Sequence, residues 1–399
     1  MPWKEKGLAL MREEFVLRAQ KGEKSKSALC KEYGITRRTG DKWIARYEAG
    51  ESLENQSRRP FHSPNKTDEE IEKLIIDYRA EHRAIGAMKI KRILENKGHA
   101  DIPSVKTINN ILKRNGLITE EASEAATPYQ QFVKSEPNEM WQADYKGYFT
   151  LKNGQRCHPL NIIDDHSRYN ICSKAQATET FEEIKPVMIQ VFEEYGLPFS
   201  LLCDNGNPWG TAQSTGFTHF EVWLMELGIL TLHGRPLHPQ TQGKEESFNR
   251  AMTKELLHFK EFENLADADS QFEAYRTFYN NERPHHALNL DVPAAHYKAS
   301  EHRYPQKIDD WEYPNDCELR KIKSSGYMTW KGCGYFLSEA FGDKVIAVRE
   351  SAQKSCYDLY FRQFHIGRID IDRRVFTFKR AYLIDGDPRQ KDAETARRK

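Results

Sequence analysis

The sequence predicts a multidomain protein: all-α helix-turn-helix units at the N-terminus, a central α/β domain, and a small β-barrel at the C-terminus. Three observations carry this. Helical periodicity fills the first 118 residues, strands alternate with helices from Asn138 to about residue 300, and short glycine-punctuated strands fill residues 318–380. At 399 residues the chain is also too long for a single core.

Net charge is +1, yet its distribution is uneven. Residues 1–118 hold 25 Lys/Arg against 17 Asp/Glu, residues 119–300 hold 15 against 26, and residues 301–399 hold 20 against 16. An acidic middle between basic ends suits a metal-dependent centre held between modules that grip nucleic acid. No apolar run approaches the roughly 18 residues of a membrane span, and no signal sequence opens the chain. The seven cysteines are odd in number and lack a Cys-x-x-Cys pair, which predicts reduced thiols, no zinc site and a cytoplasmic protein.

Residues 1–56 form the first expected DNA-binding domain. A helix over about 8–21 precedes a second at Ser27–Tyr33, broken at Gly34, and a third begins at Ile35-Thr36 with Trp43, Ile44 and Tyr47 on one face. Cys30, Gly34 and Ile35 have the spacing of a helix-turn-helix whose helices cross at the glycine. Its reading helix displays Arg37, Arg38 and Lys42. Residues 57–66 are a Pro- and Ser-rich linker in which Arg58 and Arg59 suit a minor groove.

A second helix-turn-helix domain is expected over 67–118. Glu69–His82 and Ala87–Lys97 are amphipathic, and Ser104 caps a helix that ends at Gly116. The outer face of that helix offers Lys106, Asn109, Asn110, Lys113 and Arg114 to bases and phosphates. Residues 119–137 lack periodicity and read as a linker.

From 138 to 300 the order is three antiparallel strands, helix, strand, helix, strand, helix, helix. That is the layout of a ribonuclease-H-like fold. Asp144 lies on its first strand, and Asp204 ends a strand that should pair beside it. Strand-end carboxylates on neighbouring strands converge at one sheet edge, where the helix after Gly243 supplies Glu245 and Glu246. Three converging carboxylates need cations among them. All-oxygen ligands favour Mg²⁺ or Mn²⁺, and two such ions support in-line displacement at phosphorus. Periodicity does not choose between the glutamates: Glu245 falls along the stripe Phe248, Met252, Leu256, Phe259, while Glu246 sides with Asn249, Arg250 and Thr253. Asp164 and Asp165, in a tight turn before Arg168, read as structural. Residues 301–385 give the β-barrel of SH3 type, with a disordered tail over 386–399.

Five ordered motifs, WQADYKGYF, LNIIDDHSRY, LLCDNGNPWG, HPQTQGKEESFNR and YNNERPHHALNLDVPAAHY, together resemble the core of bacterial insertion-sequence transposases of the DDE type, a core similar to retroviral integrase. The flanking segments resemble the same group's modules. The resemblance puts the two aspartates on Asp144 and Asp204. It selects Glu246, which follows Gly-Lys-x, as the third carboxylate. Ser247 stands where the group commonly has Arg, and Ile85 where it often has Trp. It implies binding to the terminal inverted repeats of a mobile element, cleavage at the element's end, and attack of the freed 3′-hydroxyl on target DNA. It also implies a homo-oligomer on double-stranded DNA, nucleoid-associated in the cytoplasm. Asn205, His238, Gln240 and Lys244 are further candidates for holding a DNA end or orienting water, and Asn207–Gly216 for a loop beside the site. A nuclease that only hydrolyses, and an inactive DNA-binding regulator, are the competing readings.

Overall fold

The computed structural model describes residues 8–55, 67–118, 133–210, 216–233 and 243–383. Arg58, Arg59, His238, Gln240, most of the 119–137 linker and the 386–399 tail lie outside the described residues. The chain divides into two compact units, Met1–Thr67 and Asp68–Lys399.

In the first unit, α1 (Leu8–Gln20), α2 (Lys26–Glu32) and α3 (Arg37–Glu48) surround Phe15, Val16, Leu29, Cys30 and Trp43. Ser25 and Thr36 cap α2 and α3 by accepting from the backbone N–H of Ala28 and Thr39. The expected crossing at Gly34 is corrected. Gly34 has φ +65° and open space around it, so it ends α2 by conformation alone. The close approach is at Gly40, where an added Cβ would lie 2.7 Å from the Cys30 sulfur and 2.9 Å from the Phe15 ring.

The second unit opens with α4 (Glu69–Glu81), α5 (Ala87–Asn96) and α6 (Val105–Arg114). Ile75, Ile85, Ile90, Ile93, Ile108, Ile111 and Leu112 form their core, so Ile85 fills an interior position. Ser104 accepts from the Thr107 N–H, the expected cap.

The α/β domain runs β1 (Trp141–Tyr145), β2 (Phe149–Thr150), β3 (Arg156–Asp164), β4 (Asn170–Gln176), α7 (Phe181–Tyr195), β5 (Ser200–Cys203), α8 (His219–Glu226), β6 (Leu230–His233), α9 (Gly243–Met252) and α10 (Leu265–Asn281). The sheet order is β4-β3-β1-β5-β6, antiparallel on the β4 side of β1 and parallel on the β5 side. The first expected strand is interrupted at Gly147 (φ +81°), and β2 resumes pairing on β3 beyond β1. Alternation then sorts the faces. Trp141, Ala143, Leu160 and Ile162 pack with α7 and α8, whereas Ile163 packs with Phe248, Met252 and Leu256 of the α9 segment and with α10. Phe259 departs from the predicted stripe and is exposed. The helix widens into a π-helical turn over Thr253–Leu257, which rotates later residues off the buried face.

The C-terminal region holds β7 (Glu318–Lys321), β8 (Tyr327–Trp330), β9 (Cys333–Phe336), β10 (Val345–Glu350), β11 (Cys356–Phe361), β12 (Phe364–Asp370) and β13 (Val375–Leu383). The strands pair as an antiparallel sheet, β13-β12-β11-β10-β7, with a separate hairpin β8–β9, and among the described residues no strand pairing closes them into the expected SH3-type barrel. Gly326 (φ +77°) separates β7 from β8, which frees the hairpin to pack Met328, Trp330 and Tyr335 on the sheet. Phe217, Val222 and Met225, at and on α8, join that core, so α8 is shared between the α/β domain and the C-terminal sheet. All seven cysteines are free, and among the described residues no helix is long and apolar enough to cross a membrane.

Candidate active site

The parallel ladder pairs Trp141 with Leu201 and Gln142 with Leu202. Counting on along both strands brings Asp144 level with Asp204, one strand spacing away. Asp144 is half-buried, and its carboxyl is pushed up to about 7 by desolvation first and then by the negative charge of Asp204, with smaller contributions from Glu179 and Glu246. Glu246, in the first turn of α9, is exposed. It lines an open groove of about 520 Å³ with Asp144, Tyr145, Lys146, Gly147, Asn249, Arg250 and Thr253.

Burial separates the two glutamates. Glu245 is 1 % exposed, both its carboxylate oxygens lack a hydrogen-bond partner, and desolvation followed by Asp144 and Asp204 holds its carboxyl well above the ordinary range. Among the described residues, no three His, Cys, Asp or Glu side chains are drawn together closely enough to hold an ion. Carboxylates that feel one another's charge stay apart without a cation between them.

Asp144 is steadied from inside the fold. Asn249 Nδ2 donates to Asp144 Oδ2 at 3.3 Å, Asn161 Nδ2 to Asn249 Oδ1 at 2.8 Å, Ser173 Oγ to Asn161 Oδ1 at 2.8 Å, and Asn170 Nδ2 to Ser173 Oγ at 2.7 Å. Every donor in this chain points toward the carboxylate, so each bond polarises the next. Sequence reading missed the chain. Its one signal was Asn161, a polar residue at an inward position of an apolar strand.

Asp164 and Asp165 are structural, as expected. Asp164 accepts from Asn138 N, Ser167 N and Ser167 Oγ, and Asp165 from Gln142 Nε2 and Lys134 N. Lys244 is the correction among the DNA-contact candidates. Its ammonium is buried, ion-paired with the Asp165 carboxylate and donating to the Asp165 carbonyl at 2.9 Å, so it faces the interior. Arg37, Arg38, Lys42, Lys106, Asn110 and Lys113 are exposed, Asn109 is half-buried, and the exposed Arg114 is paired with Glu72. In the Asn207–Gly216 segment, Trp209 is anchored in the core, and residues 211–215 lie outside the described residues.

Two family models of an integrase core domain match residues 134–239 and 227–293, and the model of the IS481 family transposase C-terminal domain matches 317–376. The chain is a DDE-type transposase with an integrase core. Models of a helix-turn-helix domain and a homeodomain-like domain match 11–61 and 39–112 of the transposase. An uncharacterized 31.7 kDa protein of insertion element IS407 from Burkholderia multivorans is 26% identical over 259 residues, covering 62% of this chain and 88% of its own. The transposase of IS904 from Lactococcus lactis is 23% identical, covering 59% of this chain and 96% of its own. Among solved structures, the HTLV-2 integrase catalytic core domain in complex with magnesium is 17% identical. It covers 41% of this chain and 97% of its own, with a TM-score of 0.31.

Proposed function

We propose that this transposase binds the terminal inverted repeats of its own element through the helical units and cuts and joins DNA at Asp144, Asp204 and Glu246. What supports the assignment is the level pairing of Asp144 with Asp204 beside a groove that Asp144 and Glu246 share. The residues fit divalent ions. The donor set is all oxygen, Asp144 carries the strain of an uncompensated neighbour, and Glu245 leaves two buried oxygens unpartnered behind it. Two Mg²⁺ or Mn²⁺ ions held there supply Lewis acidity toward the attacking hydroxyl and the leaving oxygen.

The chain's own side chains do the rest. Asn249 and the donors behind it fix the Asp144 carboxylate, and the α9 turn carries Glu246 at the groove's rim. Exposed Arg37, Arg38, Lys42, Lys106 and Lys113 bind phosphates on element ends, with Asn109 and Asn110 toward base edges. Water opens the phosphodiester at the element's end, and the resulting 3′-hydroxyl attacks a target phosphodiester in a second displacement. Two ends handled together require more than one copy of the chain, acting on DNA in the cytoplasm.

A labelled terminal-repeat duplex, target plasmid and Mg²⁺ test the reading. Wild type yields cut and joined product, whereas Glu246→Gln binds the duplex and does neither. Cutting without joining would reduce the protein to a hydrolase, and an active Glu246→Gln would remove Glu246 from the site.

A further inference from the structure

His233, at the end of β6, is buried between the two segments that carry Asp204 and α8. Its Nδ1 lies 2.6 Å from the backbone carbonyl oxygen of Asp204, and its Nε2 2.8 Å from Glu221 Oε1. Both side chains are only 2 % exposed. A carbonyl oxygen only accepts, so Nδ1 carries a proton. Glu221 is fixed in turn, since Oε2 accepts the Thr218 N–H at 2.7 Å in the capping box of α8.

The loop after Asp204 is folded over this ring. Gly206 N–H donates to Asp204 Oδ1 at 2.9 Å, and Gly210 N–H to the Gly206 carbonyl at 2.8 Å. A Cβ on Gly210 would meet His233 Cε1 at 3.0 Å and Nδ1 at 3.2 Å, so a larger residue would press the imidazole by a few tenths of an ångström. The bond to Asp204 is the only direct tie from β6 to that residue's carbonyl that a side chain supplies among the described hydrogen bonds.

We propose that His233 and Glu221 are a positioning pair: a buried strut from the α8 cap to the Asp204 backbone that sets where the Asp204 carboxylate stands. This rests on Asp204 being a ligand in the proposed reaction. Because α8 also packs against the C-terminal sheet, the strut is seated on the helix that joins the two domains.

Four variants separate the bonds from the volume. His233→Phe fills the space and makes neither bond, while His233→Asn places an N–H where Nδ1 stood. Glu221→Leu removes the acceptor, while Glu221→Gln still accepts from Thr218 and turns an amide N–H toward Nε2. His233→Phe and Glu221→Leu are expected to lower Mn²⁺ affinity and single-turnover cleavage by about 10- to 100-fold. Glu221→Gln should stay near wild type, and His233→Asn, which keeps the Asp204 bond but is too short to reach Glu221, should fall between Glu221→Gln and His233→Phe. In the metal-free protein, hydrogen exchange over residues 203–210 should quicken most in the Phe and Leu variants, with β3 and α10 still protected. Exchange rising throughout the domain, or unchanged Mn²⁺ affinity in His233→Phe, overturns the proposal. Asp204→Asn is run beside them. If it still cuts, the active-site reading itself fails. If it is dead while His233→Phe matches wild type, the strut alone fails.

Discussion

Asn161 stands directly across the β1–β3 ladder from Asp144, and its amide donates to Asn249, which donates to the Asp144 carboxylate. β1 is therefore held at Asp144 twice, once by backbone pairing and once through side chains. Asn161→Leu keeps the volume and ends the relay, leaving the Ser173 hydroxyl without its acceptor and Asn249 Oδ1 without its donor. We expect a loss of about 2 kcal/mol of stability in urea titration and roughly tenfold slower single-turnover cleavage. Wild-type cleavage in a folded Asn161→Leu protein would mean that the relay does not serve Asp144.

The Lys244–Asp165 pair anchors the start of α9 to the turn after β3. Removing one partner of a buried pair leaves the other charge uncompensated. Lys244→Met should cost about 3 kcal/mol, and the Lys244→Met/Asp165→Asn double variant should recover most of it. The salt dependence of DNA affinity distinguishes this role from a phosphate contact. Lys244→Met should leave the slope unchanged, whereas Lys113→Gln should reduce it by about 1. A reduced slope for Lys244→Met would return that residue to the DNA surface.

What the sequence made legible followed from local rules. Ser104 and Thr36 announce their helices because an N-cap is a short-range hydrogen bond, and Asp144 and Asp204 are visible as strand ends. Periodicity left Glu245 and Glu246 undecided. Burial separates them, because one points under the helix and the other over the groove. The His233–Glu221 strut was not legible, since a strand residue and a helix residue meet only after α8 docks on the sheet. The same holds for Gly34 and Gly40: the glycine that breaks α2 is plain in sequence, while the one that lets α3 approach depends on where Phe15 lands.

Gly40→Ala tests that approach. The added methyl would press on Cys30 and Phe15 inside the first helical unit, and overpacking of this kind costs about 1–3 kcal/mol. Binding to a terminal-repeat duplex should weaken with the loss of that unit, while hydrogen exchange in β1, β3 and α10 stays unchanged. Gly34→Ala meets no neighbour and is strained only through its φ of +65°, so it should cost about 1 kcal/mol. A Gly40→Ala protein as stable as wild type would show that α1 and α3 are free to spread.

His285 gives the transposase a pH dependence of known sign. It is buried against Tyr279, with ring centroids 4.6 Å apart, and Arg283 Nη1 lies 3.3 Å from its Nε2. Burial lowers its pKa to about 2, helped by the positive charges of Arg283, Lys89 and Arg168. The imidazole is therefore neutral in the folded protein and accepts from the guanidinium. Below about 6.5 the unfolded chain takes up a proton that the native state refuses. The stability this residue contributes is complete above that pH and is lost as pH falls toward the folded value, by about 1.4 kcal/mol per pH unit. Denaturant titrations at pH 7 and pH 5 check this. His285→Gln keeps an acceptor for Arg283 and does not titrate, so the difference between the two pH values should shrink in that variant. An equal difference in both proteins would place the titrating group elsewhere.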